Sequence, residues 1–305
     1  MSFEAKGYLK GVLVAYLGVA VSRFSVAPLE RIKLILQTQN ELVRIGQFSG
    51  SYSGFFDCFS QVVAQEGPLS LWRGSSISYL RYFPQQFSYF AMNRLRRKLY
   101  THRMGQSNGL LTLTLGSLAA GGLGGALWLL LLAPFDVIRT RLACDLLHAS
   151  SGFTHRRFAG AWDVVRHIWK VDGIFGFFSG YMASVGALLL YRMLYFSLYD
   201  LAIPYLPREF YPMMGQHVLR FGVTVAAGWL SYPFDTLHRR IIIAAAAAED
   251  ATKPSFKYHS TFHALVQIVQ NEGITALFQG SLTNIVRTVA FSIVLVGFDH
   301  IVRSL

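Results

Sequence analysis

Six arginines, Arg23, Arg81, Arg192, Arg239, Arg240 and Arg287, stand within or beside long apolar stretches. An ionisable side chain at membrane depth costs about 2.5–3.5 kcal/mol on insertion scales, so each needs water or a counter-ion. A planar guanidinium can hold two oxygens at once, which suits phosphate. For Arg192, Arg239 and Arg240, structural ion pairs are the alternative. Three carboxylates add to the pattern: Glu30, Asp136 and Asp235 each lie two residues after a proline and three before Lys33, Arg139 or His238. Proline lacks a backbone N–H and kinks a helix, so three kinked helices would bend these charges toward a common axis.

The elements carrying these residues must cross a bilayer. The 305-residue chain is 53% hydrophobic and only 14% charged, against about 25% charged in soluble domains. Ser107 to Phe135, a run of 29 residues, carries no charge and exceeds the roughly 20 residues that span hydrocarbon. The 28 Lys+Arg outnumber 16 Asp+Glu but form no nucleic-acid-like block, so anionic lipid and an anionic solute are the expected partners. Cys58 and Cys144 have no metal or redox spacing. The start, MSFEAKGYLKG, contains Glu4 and no Arg/Ser-rich extension, so neither a cleaved transit peptide nor a signal peptide is expected.

The chain repeats itself. PLERIKLILQ, PFDVIRTRLA and PFDTLHRRII begin at Pro28, Pro134 and Pro233, spaced by 106 and 99 residues. QEGPLSLWRG, VDGIFGFFSG and NEGITALFQG end at Gly74, Gly180 and Gly280. Two motifs in phase three times define three repeats, 7–105, 106–207 and 208–305, of one carrier domain over 1–305. The patterning predicts an all-α membrane protein: six transmembrane helices in three pseudo-symmetric repeats, near 7–37, 75–99, 110–142, 180–202, 212–243 and 280–303. Short amphipathic helices are expected near 54–65, 159–170 and 259–270. In the third of these, Phe262, Leu265, Val266 and Val269 recur at helical spacing, with His263 and Gln270 elsewhere. Gly121, Gly122, Gly124 and Gly125 offer close helix contact in the third transmembrane helix, and Gly222 and Gly228 in the fifth. The prolines are expected at one depth.

With its threefold Pro-x-acidic signature the chain resembles the mitochondrial carrier family over nearly its whole length. Within that family it is most similar to the ADP/ATP carriers, through APLERIKLILQTQ, LWRGSSISYLRYFPQQ, YRMLYFSLYD and SYPFDTLHRR. The resemblance implies a six-helix barrel around a water-filled cavity in the mitochondrial inner membrane, termini toward the intermembrane space, working by alternating access. It implies a matrix gate of cyclic pairs: Glu30 with Arg139, Asp136 with His238, and Asp235 with Lys33, the last braced by Gln37. His238 stands where the family has Arg or Lys, and histidine's reference pKa of about 6.5 makes its charge conditional. The Asp136 corner is therefore expected to be the weakest, and an arginine at 238 to hold it better. The resemblance places a cytoplasmic gate at Arg97, Asp200 and Asp299. Only Asp299 with Arg97 is complete there, because Arg94 replaces an acid and Ile203 and Val302 replace bases.

By the same resemblance Arg23, Arg81, Arg239 and Arg287 face the solute, Ala187 and Leu188 form an apolar slot for an adenine ring, and Tyr191 is its aromatic neighbour. Ordinary packing is the alternative for Ala187 and Leu188. HRRIII at 238–243, followed by Ala244 to Ala248, departs from the family's Arg-Arg-Arg-Met-Met-Met. The aromatic-x-Gly ends at Gly74, Gly180 and Gly280 open even helices, whose free N–H groups attract phosphate. In the family such ends bind cardiolipin; a plain turn is the alternative. No nucleophile–base pair, metal cluster or cofactor loop is recognisable, and His148, His155 and His167 stand isolated. The sequence thus points to an adenine-nucleotide exchanger and not an enzyme. The alternatives are a carrier of another phosphorylated or adenine-containing solute and a transport-inactive subunit of an inner-membrane complex.

Overall fold

The computed structural model describes residues 2–46, 48, 50–82, 84, 110–150, 153–203, 214–247, 258 and 260–304. Helix α1 spans Ser2–Arg44 with Pro28 inside it, running seven residues past the expected end at 37. The second membrane helix begins over 75–82, and most of its expected length to 99 lies outside the described residues. The amphipathic helix α2 (Phe55–Glu66) precedes it. The second repeat contributes α3 (Leu110–Ala143), with Pro134 inside, then α4 (Ala161–Val171) and α5 (Tyr181–Ala202).

In the third repeat the helix expected over 212–243 is two, α6 (Met214–Leu230) and α7 (Tyr232–Ala247). The break falls at Ser231, just before Pro233. Ser231 N–H closes α6 on Ala227 O at 3.0 Å, and Phe234 N–H turns back to Ser231 O at 3.2 Å. Pro233 supplies no N–H, so the helical ladder is interrupted there and a tighter turn restarts it. Helices α8 (Thr261–Glu272) and α9 (Ser281–Ser304) complete the repeat. An unexpected two-stranded hairpin follows α3: β1 (His148–Ser150) pairs antiparallel with β2 (Phe153–His155). Its register sets His148 opposite His155, so these two histidines are cross-strand neighbours and not isolated positions.

The amphipathic helices bury equivalent faces: Cys58 and Val62 in α2, Val164 and Ile168 in α4, Ala264 and Ile268 in α8. Each pair is four apart, one helical turn. The residue two before each pair, Phe56, Trp162 or Phe262, is exposed. In α8 this corrects the expected stripe: Ala264 and Ile268 point inward, Leu265 and Val269 pack at the margin, and Phe262 faces away. A short 3₁₀ turn follows each helix, at Pro68–Trp72, Gly173–Phe178 and Ile274–Phe278.

Large apolar side chains cover the outside of the membrane helices. Met182, Leu189, Met193 and Phe196 on α5, and Leu282, Val286 and Ile293 on α9, are exposed at helical spacings. Such stripes would be untenable in water but match lipid. Helix α1 packs tightly on α9, where a methyl at Gly18 would come within 2.6 Å of Phe298. Gly125 of α3 is similarly close to Leu188 of α5, at 2.7 Å. Gly222 and Gly228 do not serve this role among the described residues: a methyl at either meets nothing within 4 Å.

Three apolar clusters, one beneath each repeat, anchor the assembly. The isoleucine triplet joins all three: Ile243 enters the first, Ile242 the second, and Ile241 packs against the third. Three successive residues of a helix point about 100° apart, so one triplet can reach three clusters.

Candidate functional site

A ring of charges joins α1, α3 and α7. At the first corner Arg139 donates to Glu30, and Arg287 of α9 lies 3.4 Å from the other oxygen of Glu30. At the third corner Lys33 Nζ donates to Asp235 Oδ2 at 2.7 Å. Gln37, fully buried, bonds Asp235 Oδ2 at 3.2 Å and Thr236 Oγ1 at 3.3 Å. The lysine also lies over the Tyr232 ring, 5.2 Å from its centroid.

The second corner differs from the sequence-based expectation. His238 is not the partner of Asp136. Its Nδ1 lies 2.8 Å from Ser184 Oγ and 3.0 Å from the Gly180 carbonyl of α5's leading turn. Arg81 instead lies 3.1 Å from Asp136 Oδ1, and Arg239 lies 3.6 Å from the same atom. The imidazole is shorter than an arginine and finds its partners on the neighbouring helix, leaving Asp136 to guanidiniums reaching from elsewhere.

The three corners follow one geometric rule with different vacancies. Arg81, Ala187 and Arg287 each stand seven residues after the glycines Gly74, Gly180 and Gly280. Those on the first and third even helices reach the acid of the next repeat, Asp136 and Glu30. Ala187 has no charge to offer Asp235. Glu30 therefore has cations from both an odd and an even helix, Asp235 from odd helices alone, and Asp136 the even-helix Arg81 together with Arg239. Arg239 links the two poorer corners, 3.7 Å from Asp235 and 3.6 Å from Asp136, and donates to Thr140 Oγ1 at 2.8 Å.

The glycines themselves lock this arrangement. Gly74, Gly180 and Gly280 have φ of 81°, 75° and 75°, where side chains are disfavoured. A methyl there would lie 3.3 Å from the Arg139 carbonyl, 3.0 Å from that of His238 and 3.3 Å from that of Lys33. Each even helix thus starts against the backbone of the next repeat's ring residue.

A second set of charges ties the amphipathic helices to the odd ones. Arg31 pairs with Glu66 at 2.8 Å, Arg141 with Asp172 at 3.3 Å, and Arg240 with Glu272 at 2.5 Å. Arg240 is completely buried and also bonds Gln37 O, Ala276 O and Gln279 Oε1. Its role is structural. Arg31 and Arg141 are not among the residues singled out by sequence, although the acid-Gly repeat marks three carboxylates, partly or wholly withdrawn from solvent, in need of partners. Arg141 and Arg240 stand seven after their prolines, whereas position 35 is Ile and Arg31, three after Pro28, fills the role.

Of the other positions, Arg23 lies over the Tyr82 ring, 5.4 Å from its centroid. Ala187 and Leu188 are half-buried, and the Leu188 tip fills the space above Gly125. Tyr191 is 6.1 Å from Tyr195, which stacks on Tyr199 at 6.1 Å. At the opposite end Asp200 is exposed. Arg97 and the Asp299 side chain lie outside the described residues.

Repeated helix pairs, an outer apolar surface and an inner ring of charge are the features of a membrane carrier. The sequence pattern of the mitochondrial carrier protein family matches residues 4–104, 112–210 and 218–305, and the chain belongs to that family. It is therefore an all-α, multi-pass transporter of the mitochondrial inner membrane. It is 36% identical over 306 residues to an ADP,ATP carrier protein of Chlamydomonas reinhardtii, covering 99% of this chain and 96% of that one. An ADP,ATP carrier protein of Neurospora crassa is 38% identical over 299 residues, covering 96% and 92%. One of Schizosaccharomyces pombe is 38% identical over 285 residues, covering 92% and 85%.

Proposed function

We propose that this chain exchanges adenine nucleotides by alternating access. The single observation carrying this reading is the asymmetry at one helical level. Seven residues past the left-handed glycines, the first and third repeats present Arg81 and Arg287, while the second presents Ala187 followed by Leu188. A polyphosphate uses the two arginines, and a flat base uses the apolar side near Tyr191. A small dicarboxylate would leave that side idle. Likeness to proteins named ADP,ATP carriers over nearly the whole chain supports the same solute.

In this reading the Glu30, Asp136 and Asp235 ring is the matrix gate, here closed, and Arg97, Asp200 and Asp299 belong to the cytoplasmic one. The domain is one unit of three repeats, 7–105, 106–207 and 208–305, with both termini toward the intermembrane space. The helix starts at Gly74, Gly180 and Gly280 receive cardiolipin phosphates. The altered HRRIII segment does not count against exchange: Arg240 and the three isoleucines are committed to packing, and methionine-to-isoleucine is nearly volume-conserving.

Calorimetric titration of the purified protein tests the proposal. ADP or ATP should bind more tightly than inorganic phosphate or malate. Arg81→Ala and Arg287→Ala should each weaken nucleotide binding about ten- to a hundredfold, as expected for a lost charge-assisted contact. Tighter binding of phosphate or malate would make Ala187 and Leu188 ordinary packing and point to another solute. No binding at all would favour a transport-inactive subunit of an inner-membrane complex.

A further inference from the structure

We propose that Arg81 serves two masters: it is the gating cation of the Asp136 corner, in the place His238 leaves empty, and it is a ligand for the solute's phosphate. A bound phosphate then opens this corner by taking Arg81 away from Asp136. The idea rests on the nucleotide-carrier reading for the identity of the ligand, and on ring geometry alone for the gate.

The geometry is specific to this corner. Asp136 is buried, and among the described residues its charged neighbours within salt-bridge range are Arg81 at 3.1 Å and Arg239 at 3.6 Å. Arg239 is divided among Asp136, Asp235 and Thr140 Oγ1. His238 is turned to Ser184 and Gly180. Arg81 is therefore the cation on which Asp136 chiefly depends. Arg287 makes a parallel reach to Glu30, but that acid keeps Arg139 when Arg287 leaves. Withdrawing Arg81 leaves the buried Asp136 to an Arg239 that is shared with Asp235, whereas withdrawing Arg287 leaves Glu30 its own Arg139. The Arg81 Nε is buried without a hydrogen-bond acceptor. Part of the guanidinium's donor capacity is thus unused in the closed ring, ready for an oxygen-rich ligand.

Two groups competing for one cation make binding and closure mutually exclusive at that corner. The apparent affinity of the ligand is lowered by the fraction of time Arg81 is held by Asp136. Removing the competitor should reveal the difference.

The experiment compares four variants of the full-length protein in detergent, melted without ligand and titrated with ADP. Arg81→Gln should lower the unliganded melting temperature by several degrees, and Arg287→Gln by clearly less. Adding His238→Arg to Arg81→Gln should restore the melting temperature but not ADP binding, because it rebuilds the corner without rebuilding the phosphate ligand. Asp136→Asn should tighten ADP binding about fivefold or more. If Arg81→Gln alone fails to fold, the doubly substituted protein and Asp136→Asn still decide the matter. Equal losses for Arg81→Gln and Arg287→Gln, or unchanged ADP affinity in Asp136→Asn, would overturn the proposal. Failure of the unaltered protein to bind ADP would sink the solute reading and the coupling with it, while the ligand-free melts would still show whether Arg81 closes the corner.

Discussion

The Asp235 and Asp136 corners belong to the same ring, yet they are closed by different means. At Asp235 the cation comes from the odd helix the repeat assigns, at 2.7 Å, and a buried glutamine from the same helix braces the carboxylate. At Asp136 the assigned residue is a histidine that bonds elsewhere, and closure falls to an even-helix arginine and to Arg239. One corner is therefore held by a lysine and a glutamine of α1, and the other by an even-helix arginine together with an Arg239 that it shares with Asp235. A repeat fixes where a carboxylate sits, but the reach of surrounding side chains decides what neutralises it.

Substitutions can break or sharpen this contrast. The largest effect is expected from Lys33→Ala, which leaves Asp235 with Gln37 and a distant Arg239. A loss of about 2–3 kcal/mol is expected, below the 3–5 typical of fully buried pairs because Asp235 is 30% exposed. Chemical denaturation of the purified protein would measure it. A loss below that of His238→Ala would mean the two corners are not organised as described.

Gly180→Ala comes next, at about 2 kcal/mol. It combines a left-handed backbone with a methyl 3.0 Å from the His238 carbonyl and 2.9 Å from its ring. Gly74→Ala, meeting the Arg139 carbonyl at 3.3 Å, should be milder. Thermal unfolding followed through thiol alkylation can rank the two. Cys58 suits that readout because it is fully buried and desolvation pushes its thiol up to about 12, so the folded protein presents almost no thiolate at neutral pH. Equal midpoints for both variants would show that the His238 contact adds nothing.

Gln37→Ala should cost about 1 kcal/mol through two lost hydrogen bonds, and its effect should shrink but not vanish when Asp235 is already Ala, because the bond to Thr236 remains. A double-mutant cycle with no coupling energy would remove the brace from the account. The smallest change is expected from His238→Arg in the otherwise unaltered chain, under about 1 kcal/mol, because Asp136 already has two guanidiniums. A stabilisation of several kcal/mol would show that Arg81 does not do the work assigned to it.

Much of this fold can be read directly from residues. The Pro-x-acid and acid-Gly motifs, repeated in phase, mark the three repeats, and the apolar runs between them mark the membrane helices. The amphipathic helices fall within two residues of their expected bounds, because their period and their glycine ends are local signals. The break at Ser231 was less legible: Pro28 and Pro134 sit inside continuous helices while Pro233 follows an interruption, and the motif alone does not distinguish them. The hairpin after α3 is signalled only by the Ser151-Gly152 dipeptide, and its three-residue strands are too short to show an alternating pattern. In the ring, two odd-helix pairs, Glu30 with Arg139 and Asp235 with Lys33, match the expectation, whereas His238 does not meet Asp136 and the even-helix partners could not be anticipated.

By itself, the sequence determined that this protein crosses a bilayer in three similar repeats, that each carries an acid beside a helix-bending proline, and that arginines had to be accommodated at apolar depth. These follow from periodicity, hydropathy and the chemistry of proline, all of which act over a few turns. Only the tertiary structure decided which arginine meets which acid. Arg81 and Asp136 are 55 residues apart in the chain but 3.1 Å apart in space, and Arg240 reaches Glu272 instead of the ring. Charge pairing depends on distances of a few ångströms set by helix packing, and a change of residue length, as from arginine to histidine at 238, is enough to reassign a partner.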